Sequence, residues 1–66
     1  MDPKDIFELI IKADEKLKYA KDDNRETRES QARELLEQAL AAAREIGNDA
    51  LVQQAETRLA DLEAIG

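Results

Sequence analysis

Three apolar stripes at helical spacing, separated by one long charged interval and one Gly-Asn step, predict an all-α fold: three antiparallel helices packed up-down-up in a single domain. In the first stripe Ile6, Ile10, Ala13, Leu17 and Ala20 step by four, three, four and three residues, with Leu9 on one flank. Ala32, Leu36, Ala39, Ala43 and Ile46 repeat those steps in the second, flanked by Leu35, Leu40 and Ala42. The third carries Leu51, Val52, Ala55, Leu59, Leu62 and Ile65.

The opening Asp2-Pro3-Lys4-Asp5 reads as an N-cap, a proline at the first helical position and an acid in the electropositive first turn, so the first helix is expected over 3–22. The run KDDNRETRES, residues 21–30, has no apolar residue and is expected to hold the turn. Asp23 or Asn24 can cap the second helix, with Glu26 completing an Asp-x-x-Glu capping box, while Thr27 and Ser30 are rival caps. The second helix is placed over 25–46 and stops at Gly47, where a left-handed backbone costs glycine little. Asn48 or Asp49 can cap a third helix over 49–65, and a link of about two residues forces the second and third helices to be antiparallel neighbours.

The first two stripes each run for about 14 residues, or ~21 Å of helix. Folded antiparallel, they set Ala20 beside Ala32, Ala13 beside Ala39 and Ile6 beside Ile46. Small residues then face small residues, and the two backbones can approach toward the ~8 Å end of the usual interaxial range. The high helix propensity of alanine adds to this in a domain whose core is small.

The totals bound the rest. A chain of 66 residues buries only about 60% of the surface its unfolded form exposes, and it has neither cysteine for a disulfide nor a His/Cys set for a metal. Tight helix packing or burial against another chain is left as the source of stability. Ten basic and sixteen acidic residues, a net charge of −6, argue against nucleic acid as a partner. The most apolar runs, IFELII and ALAAA, fall far short of the ~20 residues that cross a bilayer, and no cationic leader precedes them. The expectation is therefore a cytoplasmic protein with no membrane, nucleic-acid or small-molecule partner and no cofactor.

Residues 10–17 and 52–59 echo one another at an offset of 42: Ile10 with Val52, Ala13 with Ala55, Asp14 with Glu56, Lys16 with Arg58, Leu17 with Leu59. A period of that length spanning two helices marks a helical-hairpin repeat. The stretch from Ala32 to Asn48, with Ala32, Leu36 and Ala39 as its small-large-small positions and Ala20 twelve residues before Ala32, resembles the second helix of a tetratricopeptide repeat. The resemblance covers residues 10–66, one repeat plus the first helix of the next. It departs from the family in lacking the bulky aromatic residues of the first helix and a closing proline, and in its longer period. It implies a hairpin module that binds a peptide along its first helices. Because such stacks need about three repeats to be stable, one and a half point to a fragment, an engineered chain or an obligate oligomer.

Catalysis has little to draw on, with no His or Cys and with carboxylates scattered over solvated helix faces, so an enzyme is not expected. A calcium loop beginning at Asp22 fails, because Thr27 falls where glycine is needed and Arg33 where the bidentate glutamate belongs. Two surface features remain. Phe7 and Ile11 lie about 100° and 140° around the first helix from Ile6; they either pack against the third helix or form an interface for another chain. Lys12, Lys16 and Tyr19 line the outer side of the same helix. The family resemblance would join Arg58 to them as a groove for an acidic peptide, against the simpler reading of a solvated face. The expected function is noncatalytic protein-protein interaction, docking or self-association, with another chain or a second copy as partner; the alternative is a natural or designed three-helix bundle with a purely structural role.

Overall fold

The computed structural model describes residues 1–65 and contains three α-helices, α1 (Pro3–Lys18), α2 (Arg25–Glu45) and α3 (Asp49–Ile65), with no strand among them. They form an all-α three-helix bundle. The central element is α2: α1 and α3 each pack along it and meet one another over a smaller contact. The Cα envelope is accordingly flattened, 37 × 20 × 13 Å.

Ten apolar side chains make the core: Ile6, Ile10 and Ala13 from α1, Ala32, Leu36, Ala39 and Ala43 from α2, and Leu51, Ala55 and Leu62 from α3. Half of them are alanines, all fully buried, and a close approach of helices is what lets so small a side chain lose all contact with water. Leu9, Leu17, Leu35, Leu40, Ala42, Val52 and Leu59 pack around this centre and are partly buried. Ile65, expected to continue the third stripe, lies outside the side chains described.

Burial along the hairpin follows the expected pairing in the middle and departs from it at both ends. Ala13 and Ala39 are fully buried, as the antiparallel pairing requires. Ile46, expected to lie beside Ile6, is the C-cap of α2 and is 40% exposed, whereas Ile6 is fully buried. At the opposite end α1 stops at Lys18, four residues short of the expected 22, and Ala20 lies beyond it, half-buried. The last turn tightens there, with the Ala20 N–H donating to the Leu17 carbonyl at 3.2 Å. Asn24 then ties off the turn: its Oδ1 accepts from the Lys21 N–H at 2.6 Å, and its own N–H donates to the Lys21 carbonyl at 3.0 Å. Side-chain competition of this kind, in a run of Asp-Asp-Asn, ends a helix that apolar periodicity alone would continue.

That use of Asn24 also removes the expected capping box. Asn24 occupies the N-cap position of α2, but its side chain faces back to Lys21 and makes no cap bond, and Asp23 and Glu26 do not close a box around it. Asp2 precedes Pro3 with extended backbone, as expected, but makes no side-chain cap bond either.

The α2–α3 connection follows the local signals closely. Gly47 has φ +69°, the left-handed conformation that L side chains resist. The Asn48 N–H donates to the Ala43 carbonyl at 2.9 Å and the Gly47 N–H to the Arg44 carbonyl at 3.1 Å, the paired bonds of a Schellman ending. Asn48 then turns its side chain forward, and its Oδ1 accepts from the Leu51 N–H at 3.1 Å, so Asn48 rather than Asp49 caps α3.

Candidate functional site

The outer surface of α1 divides into two flanks with different chemistry. On the flank nearer α3, Asp14 receives Arg58: the guanidinium Nε donates to Asp14 Oδ1 at 3.0 Å and Oδ2 at 3.1 Å, and Nη1 donates to the Gln54 backbone carbonyl at 3.3 Å. The pair is part-buried, with Arg58 29% and Asp14 41% exposed, and it ties together the two helices that share the smallest contact. Phe7 and Ile11 lie on this side of the helix, 43% and 37% exposed. Neither belongs to the apolar shell packed on the core. Both stand at the rim of the bundle, each with over a third of its surface open to water.

The opposite flank of α1 borders α2. Lys12, Glu15, Lys16 and Tyr19 from α1 join Arg28 and Leu35 from α2 around an open cleft of about 410 Å³. A second depression of about 340 Å³ continues along the seam, sharing Lys16 and Leu35 and adding Gln31, Glu34 and Gln38. Leu35 is a half-buried apolar wall, Lys16 and Arg28 are half-buried, and Lys12 and Tyr19 are exposed. The Lys18 ammonium stands 5.7 Å from the Tyr19 ring centroid, within cation–π range.

The fold thus brings Lys12, Lys16 and Tyr19 together and does not bring Arg58 to them. Arg58 lines a separate depression with Ala50, Gln53, Gln54 and Thr57. Helical period accounts for the split, since Asp14, its partner, sits roughly 160° around α1 from Lys16. Three cleft residues were not singled out as site residues from the sequence: Glu15, Arg28 and Leu35. Leu35 could have been found: the register that sets Ala13 beside Ala39 also sets Lys16 near Leu35 and Leu36. Arg28 lies in the charged run whose helical state was ambiguous, and no signal separates it from its neighbours.

Three ion pairs form among the described residues: Arg58–Asp14, Arg44–Glu56 at 3.6 Å between α2 and α3, and Arg25–Asp22 at 3.4 Å in the turn. They leave Lys12, Lys16 and Arg28 without a carboxylate partner, as they do Lys4, Lys18, Lys21 and Arg33. Cations held around an apolar wall can contact anionic groups. No protein-family model, no curated protein and no solved structure matches the chain.

Proposed function

We propose that this chain is a noncatalytic protein-protein interaction module of helical-hairpin type that docks through the outer face of α1, with a second copy of itself as the partner. The observation that carries the proposal is the exposure of Phe7 and Ile11, two large apolar side chains one turn apart, on a domain that leaves few others open to water. Along the same face Lys4, Phe7 and Ile11 step by three and four residues, and Glu15, four further on, continues the stripe at the border where it also lines the α1–α2 cleft. An antiparallel second copy centred between Phe7 and Ile11 sets Lys4 close to the other copy's Glu15, and the reverse, so the stripe is complementary to itself. Kinship with tetratricopeptide-like hairpins is supported by burial at the offset of 42: Ala13 and Ala55 are both fully buried, and Leu17 and Leu59 are both half-buried.

Sedimentation equilibrium from micromolar to millimolar concentration tests this. The apparent mass is expected to rise toward twice the chain mass, and Phe7→Glu or Ile11→Glu to hold the chain monomeric while its thermal melt is unchanged. A monomer at every concentration would refute self-association and favour the bundle with a purely structural role.

A further inference from the structure

We propose that Asp14 serves two cations at once: when two copies pair through Phe7 and Ile11, the partner's Lys4 takes the open side of the carboxylate that Arg58 holds, so that docking of α3 and self-association strengthen one another. The inference rests on the self-association reading and adds a regulation to it, in which the state of α3 sets the affinity of α1 for a second copy.

Lys4, Phe7, Ile11, Asp14 and Lys18 all lie in α1 and step by three, four, three and four residues. They fall within about 80° of one another around the helix, the narrow seam through which two helices pair. All five are at least partly open to water. Glu8 and Glu15 border the seam on the side away from Asp14.

The charges discriminate among the ways a second copy can meet this seam. Parallel and in register, Lys4, Asp14 and Lys18 would each face themselves. Antiparallel and centred on Ile11, Lys4 would face Lys18, and Phe7 would face Asp14. Antiparallel and centred between Phe7 and Ile11, Phe7 faces Ile11 twice and Lys4 faces Asp14 twice. Like charges penalise the first two arrangements, and the third sets opposite charges beside an apolar pair.

Asp14 has acceptor capacity to spare. Among the described residues it accepts from one group, the Arg58 Nε–H, at 3.0 Å to Oδ1 and 3.1 Å to Oδ2. An ionised carboxylate offers about four acceptor sites, and Asp14 is 41% exposed, so an ammonium can reach it from the solvent side. Arg58 is itself steadied by the Gln54 carbonyl, 3.3 Å from Nη1. The guanidinium therefore orders the carboxylate before a partner arrives, and less side-chain freedom is lost when Lys4 binds. By linkage, whatever Arg58 adds to the pairing of copies, pairing adds to the hold of Arg58 on Asp14.

Dissociation constants from sedimentation equilibrium test this. Asp14→Asn should weaken pairing by on the order of tenfold, since the symmetric dimer contains the contact twice. Two chains of net charge −6 repel, so the loss of an acid through general charge alone would tighten pairing instead. Arg58→Gln should weaken pairing by about threefold. Arg33→Gln, which removes the same charge from an exposed site on α2, should change it by less than about twofold. In a Lys4→Gln background Arg58→Gln should lose its effect, because the contact it organises is gone, whereas a purely structural Arg58 would weaken both backgrounds equally. Asp14→Asn chains that pair as tightly as the parent, or equal effects of Arg58→Gln in the two backgrounds, would overturn the sharing of Asp14 while leaving the Phe7–Ile11 interface in place. A parent chain that stays monomeric at millimolar concentration would remove the interface and this inference together.

Discussion

Replacing Ala39 with leucine tests the packing on which the bundle rests. Ala39 is fully buried at the middle of α2, between Ala32 and Ala43, which are also fully buried, and Ala13 of α1 is likewise closed to water. Leucine adds three carbons. If room existed, burying them would contribute about 2.4 kcal/mol, at ~0.8 kcal/mol per methylene. Where small side chains set the spacing there is no such room, and the helices must separate or the leucine must leave its rotamer, at a net cost of roughly 1–3 kcal/mol. At 0.05–0.15 kcal/mol per residue a chain of this length has about 3–10 kcal/mol in total, so the substitution removes a large share. Urea denaturation followed by circular dichroism reads it directly: with a slope of about 1 kcal/mol/M for so small a domain, the midpoint should fall by about 1–3 M. Ala41, exposed on the same helix, is the control, and Ala41→Leu should stay within about 0.5 kcal/mol of the parent. An Ala39→Leu protein as stable as the parent, with unchanged slope, would mean that the α1–α2 spacing is not set at this alanine.

Other substitutions probe the connections. Gly47→Ala should cost about 1 kcal/mol, a backbone effect alone, because a β-carbon at Gly47 would meet nothing within 4 Å; Gly47→Asn should cost less, since asparagine tolerates the left-handed region, and an alanine variant of parental stability would contradict the positive φ. Asn48→Ala removes the only side-chain cap bond seen at a helix start and should cost roughly 1 kcal/mol, whereas Asn24→Ala should loosen the α1–α2 turn without loss of a cap. A double-mutant cycle on Asp14→Asn and Arg58→Gln is expected to give a coupling of at most about 1 kcal/mol, reduced by salt because both groups are partly exposed; zero coupling at low salt would remove the clamp between α1 and α3.

Local rules carried the architecture a long way in this chain. Helix type and number, the burial of Ala13 and Ala39, and the Gly47 stop with its short link to α3 were legible. Each depends on interactions within a few residues or on a period that survives any tertiary detail: Gly47 can take a left-handed backbone that other residues resist, and Asn48 needs only the next turn to cap. What tertiary structure decided lies where two local answers compete or where a flank must choose a neighbour. Periodicity carried α1 through Ala20, but Asn24 hydrogen-bonds Lys21 and ends it at Lys18. The family resemblance grouped Arg58 with Lys12 and Lys16, yet the azimuth at which α3 docks gives Arg58 to Asp14, and the lysines border Arg28 and Leu35 instead. A helix stripe states which face is buried; it does not state which helix lies left or right of it. That choice depends on packing between segments distant in sequence, and it is the choice that separates a salt-bridged clamp from a cleft with unpaired cations.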